Sequence, residues 1–182
     1  MKRFIKLLGL ILLFIFLTAC SSKPTLELVH SKVDIVNDKN KVGSIGITEG
    51  DKKGQELVPT VLYYEFEIKN SGNKKMGGIG EKGLQVKIEP NDKLVTISKE
   101  TVGFNIFKPS SYDATGVGYG TSFVGKKYIL TFDLGVSEEN PQVPLRVPSE
   151  EKLKELKDNA LDASLIVTLD GKEITRFNLK KN

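Results

Sequence analysis

VLYYEFEIK, residues 61–69, shows the most regular alternation of apolar and polar side chains in the chain. The apolar positions fall on one face and the polar positions on the other: Leu62, Tyr64, Phe66 and Ile68 against Tyr63, Glu65, Glu67 and Lys69. Successive side chains of a β-strand point to opposite faces, so this period of two predicts a strand with one buried face. We therefore predict that 61–69 is a central strand of a β-sandwich.

Outward from this segment, shorter stretches repeat the alternation, with turn residues between them. They predict further strands at 84–88, 94–98, 128–134 and 163–169. Weaker patterns predict a first strand from Leu26 through Ile35 and another strand at 42–48. Together with the C-terminal return strand, about eight strands are expected.

The last third of the chain carries the clearest turn and helix signals. Asp170-Gly171 separates two alternating runs, which predicts a tight hairpin. Ser149 is a preferred N-cap residue and is followed by acidic residues that the helix dipole favours. An apolar stripe running to Ala160 then predicts one short helix near 149–159. Segment 140–148 holds three prolines and cannot be a central strand.

These elements define the expected fold class: a mostly all-β, immunoglobulin-like β-sandwich with one short helix. The segment 63–74 runs from a strong strand into an Asn-Ser-Gly-Asn turn. In this respect the chain resembles the small immunoglobulin-like domains of Gram-positive surface lipoproteins. That resemblance supports the sandwich and implies no particular activity.

The N-terminus has the three parts of an export signal. Segment 1–6 is basic, and segment 7–17 contains only apolar residues and one glycine. This apolar run is shorter than the roughly 20 residues that span a bilayer stably. Leu17-Thr18-Ala19-Cys20 resembles the lipobox of bacterial lipoproteins. In that family the cysteine sulfur receives a diacylglycerol and the leader is cut just before the cysteine.

The resemblance implies that Cys20 is the lipidation site and the mature N-terminus. We expect a signal peptide at 1–19, a lipid-anchored linker at 20–25 and a single domain at 26–182. A plain secretory signal and an uncleaved anchor are the competing interpretations. A lipoprotein would lie on the extracytoplasmic face of the cell membrane, held by acyl chains rather than by a membrane span.

The composition argues against a nucleic-acid-binding protein and against a domain held together by disulfides. The chain has 27 basic and 23 acidic residues, and three of the basic residues lie in segment 1–19. Removing that segment leaves 24 against 23, a nearly neutral chain that gives no support to nucleic-acid binding. Because Cys20 is the single cysteine, no internal disulfide can form. The domain must therefore be stabilised by packing alone.

Two segments match phosphate-binding motifs only as strings of letters. Segment 78–83, GIGEKG, has the dinucleotide spacing, and segment 120–126, GTSFVGK, approaches a phosphate-binding loop. Both motifs work at the N-terminus of a helix, whereas each segment here precedes a strand pattern. We therefore expect 78–83 to be a hairpin loop, and we expect no cofactor.

Candidate site residues are few. The long glycine-rich connection at 108–125 carries Tyr112, Tyr119 and Phe123, whose rings are suited to stacking on a sugar or contacting a partner. His30 is the single histidine, and it is the one side chain on which a small hydrolase could be built. The acidic residues lack ligand spacing, so no metal site is expected.

Two functional hypotheses follow from the sequence. The first is a non-enzymatic binding or accessory module that is anchored to the membrane by its N-terminal lipid and contacts an envelope protein, a peptide or a glycan. The alternative is a small extracytoplasmic hydrolase that uses His30. The first hypothesis is preferred, because no nucleophile elbow or paired catalytic base accompanies the histidine.

Overall fold

The computed structural model describes residues 25–72, 84–108, 110, 118–124 and 127–180. Within these ranges nine strands are present: β1 Leu26–Val36, β2 Ile45–Gly46, β3 Glu56–Leu57, β4 Thr60–Asn70, β5 Leu84–Pro90, β6 Tyr119–Val124, β7 Lys127–Gly135, β8 Ala163–Leu169 and β9 Lys172–Asn178. The helices in the same ranges are α1 Lys39–Val42, α2 Asp92–Val102 and α3 Glu150–Asn159.

Seven of the strands form two antiparallel sheets that enclose the main core. The four-stranded sheet has the order β1-β4-β7-β6, and the three-stranded sheet has the order β5-β8-β9. With the small β2–β3 hairpin set aside, the first, second, fifth and fourth strands form one sheet, and the third, sixth and seventh form the other. This is the strand order of an immunoglobulin constant domain. The predicted immunoglobulin-like β-sandwich is confirmed.

Strand β4 lies at the centre of the larger sheet, as its sequence predicts. Leu62, Tyr64 and Phe66 are fully buried, while Tyr63, Glu65 and Glu67 on the other face are only partly covered. The rings of Tyr64 and Phe66 stack with their centroids 5.8 Å apart, and Phe132 of β7 meets Tyr64 edge-on at 6.0 Å. Such ring pairs add stability beyond the area that they bury.

Strand β1 contains a β-bulge that the sequence pattern does not reveal. Leu28 pairs with Ile68 and His30 pairs with Glu67, which leaves Val29 as an extra residue. The bulge exchanges the two faces of the strand, because each added residue reverses the alternation. Val33 therefore faces the core in phase with Leu28, and His30 is exposed.

The smaller sheet ends in the predicted hairpin. Asp170 and Gly171 both have positive φ angles, 50° and 74°, which the tight turn between β8 and β9 requires. On the outer face of this sheet, Ile166 is only 1 % exposed. It lies between Lys87 and Arg176 in the strand register, so their aliphatic stems cover it.

Helix α3 is confirmed where the sequence predicts it, but the strand predicted at 94–98 is wrong. That segment lies in α2, whose N-cap residue Asn91 accepts a hydrogen bond from the Leu94 amide at 2.8 Å. Gly103 ends the helix in the left-handed region at φ 90°. These caps and the core packing of the helix outweigh the strand propensity of its β-branched residues.

The strand predicted at 42–48 is much shorter in the structure. Val42 is the last residue of α1, and only Ile45 and Gly46 form a strand, β2, which pairs with β3. The residues around this hairpin form a second, small core with the segment that follows β7. Its buried members are Ile47, Leu57, Val136 and Val143. Segment 140–148 contains no strand, as its prolines predict.

Candidate functional site

The main concave feature of the described residues is a cleft of about 560 Å³ between the two sheets. The strand order explains it, because β5 and β6 are the edge strands of their sheets and no described strand joins them. The cleft is lined mainly by apolar core side chains: Leu84, Val86, Ile88, Ile106, Phe107, Leu130 and Phe132. Most ligand pockets have a volume of about 300–1,000 Å³ and an apolar lining of this kind.

The aromatic wall of the cleft is built by the turn that follows α2. The ring of Phe107 lies 5.0 Å from the ring of Phe132, at an interplanar angle of 61°. The turn is held by Ser98, whose hydroxyl accepts a hydrogen bond from the Ile106 amide at 3.0 Å and donates one to the Phe104 carbonyl at 3.0 Å. Helix α2 therefore positions this wall.

Polar groups occur only at the rim of the cleft among its described lining residues: Gln85, Lys87, Thr121 and Thr168. Lys87 is the single charged residue in this set, and the described lining contains no carboxylate. The closest acidic residue along β5 is Glu89, which forms an ion pair with Arg176. The rim is thus weakly positive, above an apolar interior.

The start of β6, beside the cleft, is held by Asp133 of β7. The Asp133 carboxylate accepts a hydrogen bond from the Gly118 amide at 2.8 Å, and the Asp133 amide donates to the Gly118 carbonyl at 2.9 Å. Burial raises the pKa of Asp133, and the hydrogen bond from Gly118 opposes this shift.

The other lateral edge of the sandwich is closed by a helix. Helix α3 packs against β1, and Lys157 of α3 forms an ion pair with Asp34 of β1 at 2.7 Å. The Tyr64 hydroxyl donates a buried hydrogen bond of 2.8 Å to the Ala160 carbonyl at the end of α3. Burial raises the pKa of Tyr64, so the phenol stays protonated and keeps donating this bond.

The structure brings two of the predicted binding residues to the border of the cleft. Tyr119 and Phe123 lie in β6, the strand that also supplies Thr121 to the rim. The sequence predicts a long connection at 108–125, whereas 119–124 forms an edge strand paired with β7. Tyr112 and Cys20, the residue predicted to be lipidated, lie outside the described residues.

His30 does not line the cleft. It is exposed on β1, opposite Glu67 in the register. Strand β1 is at the far side of the four-stranded sheet from β6, about 14 Å away at the usual spacing of strands. The histidine and the cleft are therefore separate features of the surface.

Both phosphate-motif look-alikes are followed by strands, β5 and β7, rather than by helices. The residues of the first motif lie outside the described ranges. The prediction that it forms a hairpin loop therefore falls outside the described residues; the strand that follows it, β5, pairs with β8 and not with β4. Among the described residues, no group of three acidic, histidine or cysteine side chains could hold a metal ion.

One feature of the sequence relates to this cleft: the alternation of apolar and polar residues in β5. That run shows a strand with one buried face but not that the strand lies at an edge.

In the part of the chain described, no helix is both long enough and apolar enough to cross a membrane. No protein-family model matches the chain, and comparisons with curated proteins and with solved structures also found no match.

Proposed function

We propose that this chain is a lipid-anchored lipoprotein of the extracytoplasmic membrane face, and that it acts as a non-enzymatic binding or accessory module. The observation that supports the binding role is the apolar cleft between the edge strands β5 and β6. An envelope protein, a peptide or a glycan can contact such an edge through the strand backbones and the cleft rim.

The proposed anchor is supported by the sequence of the leader and by the short linker. Residues 20–25 span at most about 20 Å when extended. Because β1 begins at Leu26, the sandwich would be held close to the lipid surface. Two acyl chains on Cys20 would give stable attachment, since each buried methylene contributes about 0.8 kcal/mol.

One experiment with three variants tests both parts of this function. Cys20→Ala is expected to move the chain from the membrane fraction to the medium or to leave an uncleaved precursor. Thr121→Trp places a large ring at the cleft rim and is expected to prevent capture of the partner from solubilised envelopes. Ser122→Trp is the matched control, because its side chain lies on the opposite face of the same strand.

Each part of the proposal has its own negative result. Processed Cys20→Ala chain that remains in the membrane fraction would disprove the lipid anchor. Capture that is equally strong for Thr121→Trp and Ser122→Trp would disprove the role of the cleft. Circular dichroism of both tryptophan variants checks that the fold is retained; both positions are exposed, so little change is expected.

A further inference from the structure

We propose that the cleft between β5 and β6 also binds a fatty acid, with the hydrocarbon chain between the sheets and the carboxylate at Lys87. This inference goes beyond the proposed function. It depends on that function in one respect, because the membrane anchor would hold the cleft near a supply of membrane-derived fatty acids. The proposal rests on the shape, lining and charge of the cleft.

The interior of the cleft suits a hydrocarbon chain. Its walls come from both sheets, with Val86 and Ile88 of β5 opposite Leu130 and Phe132 of β7. These side chains carry no hydrogen-bonding groups, so a glycan or a polar peptide segment inside the cleft would lose its hydrogen bonds to water. A hydrocarbon chain loses none and gains about 0.8 kcal/mol for each methylene removed from water.

The rim suits an anionic head group. Lys87 is an exposed residue of the edge strand β5 and borders the cleft, with its stem over Ile166. The nearest carboxylate on this strand, Glu89, is paired with Arg176, and Arg176 and, less strongly, Lys87 lower its pKa. The hydroxyl of Thr121 and the amide of Gln85 lie on the same rim and can donate hydrogen bonds to a carboxylate. No described lining residue carries a negative charge that would repel it.

The size of the cleft favours this occupant over a second copy of the chain. The volume of about 560 Å³ lies within the range of small-molecule sites. A stable protein interface would need about 800 Å² of surface from each partner, whereas six of the seven apolar lining residues are buried and expose little surface to a docking protein. Lys87 at the rim and the apolar walls inside also correspond to the charged head group and the hydrocarbon chain of an amphiphile.

Photo-crosslinking of the full anchored chain in phosphatidylcholine nanodiscs tests the proposal. The probe is dodecanoic acid with a diazirine near the end of its chain, and the neutral comparison is the corresponding dodecanol. We expect saturable labelling of the peptides that contain 84–88 and 130–132. Unlabelled dodecanoate should compete for this labelling.

The variants separate the interior from the rim. Thr121→Trp should lower labelling by both probes about tenfold or more, while Ser122→Trp leaves labelling unchanged. Lys87→Glu should lower labelling by the dodecanoic acid probe about tenfold and labelling by the dodecanol probe less than about twofold, because only the acid carries a charge. Lys93→Glu, the same change at an exposed position of α2, is the control for net charge.

Unsaturable labelling spread over the whole chain, or labelling that Thr121→Trp does not reduce, would overturn the proposal. Equal loss of the acid and the alcohol in Lys87→Glu would overturn the role of the lysine. If fatty acid fails to bind while Thr121→Trp still prevents partner capture, this inference is wrong and the proposed function stands. If fatty acid labels the cleft specifically but Thr121→Trp and Ser122→Trp capture the partner equally well, this inference stands and the role of the cleft in partner capture is wrong.

Discussion

At one lateral edge of the sandwich α3 packs against β1, whereas at the other edge β5 and β6 leave a cleft of about 560 Å³ between them. The closed edge joins its elements through the Tyr64 hydrogen bond to Ala160 and the Lys157–Asp34 ion pair. The open edge carries apolar walls and one cationic rim residue, and beside it the half-buried carboxylate of Asp133 holds the start of β6.

The difference separates two roles within one fold. Polar groups at the closed edge find partners inside the protein, so that edge contributes to stability. At the open edge, the apolar side chains border a cleft with a weakly positive rim, as in many binding sites. If this interpretation is correct, matched substitutions at the two edges should give unequal or opposite changes in the free energy of unfolding.

The largest expected difference concerns one phenylalanine near each edge. Phe66→Ala should lower the free energy of unfolding by about 3–5 kcal/mol, because the ring is fully buried beside β1. Phe132→Ala should cost less, since this ring lines the cleft and already borders a void. Urea denaturation followed by circular dichroism measures both values. Equal losses would contradict the comparison.

A smaller effect is expected from removing one hydroxyl at the closed edge. Tyr64→Phe leaves the buried Ala160 carbonyl without its donor, which should cost about 1–3 kcal/mol. Tyr63→Phe is the matched control on the outer face of the same strand, and it should change stability by less than about 0.5 kcal/mol. Thermal unfolding of the two variants provides the test, and similar midpoints would refute the role of this bond.

The smallest effects should have opposite signs at the two edges. The hydrogen bond from Lys157 lowers the pKa of Asp34, so Asp34 stabilises the fold above its unfolded pKa, and this stabilisation is lost as the pH falls below 3.8. Asp34→Asn should therefore cost about 0.5 kcal/mol or less at pH 7, because the pair is partly exposed. The cost should disappear in acid.

Asp133→Asn should have the opposite effect. Burial raises the pKa of Asp133, so its favourable contribution is present below the unfolded pKa and is lost as the pH rises through the folded pKa. The asparagine keeps an oxygen for the Gly118 amide but removes the half-buried charge, and stability at pH 7 should rise. Denaturation curves between pH 3 and pH 7 compare the two variants. A loss of stability in both at pH 7 would contradict the prediction.

Local patterns predict the elements that depend on local chemistry. The alternation in β4 and β7, the Asp170-Gly171 turn and the cap of α3 all lead to the observed structure. The strand predicted at 94–98 is wrong because the caps at Asn91 and Gly103, together with core packing, favour a helix over the strand propensity of the β-branched residues. A helical stripe was also present in the sequence, since the buried positions Leu94, Ile97, Ser98 and Thr101 follow helical spacing.

The candidate cleft was not predictable from the sequence, because it depends on which strands end each sheet. The residue pattern of β5 resembles that of an inner strand. Its position at an edge becomes clear from the sheet order, in which β8 is its one neighbour. Lys87 likewise has the sequence context of an ordinary solvated residue. The bulge at Val29 was hidden for a related reason, since pairing with β4 rather than local composition determines the phase of β1.

That bulge has a consequence for encounters between chains. Strand β1 ends its sheet, and wherever α3 does not cover it a straight edge strand could template cross-β aggregation. The extra residue Val29 divides the eleven-residue strand, so an incoming chain cannot keep one hydrogen-bonding register along its whole length. If copies of the chain are anchored side by side on a membrane surface, as proposed, they collide often, and the interrupted edge keeps those collisions from propagating into a continuous intermolecular sheet.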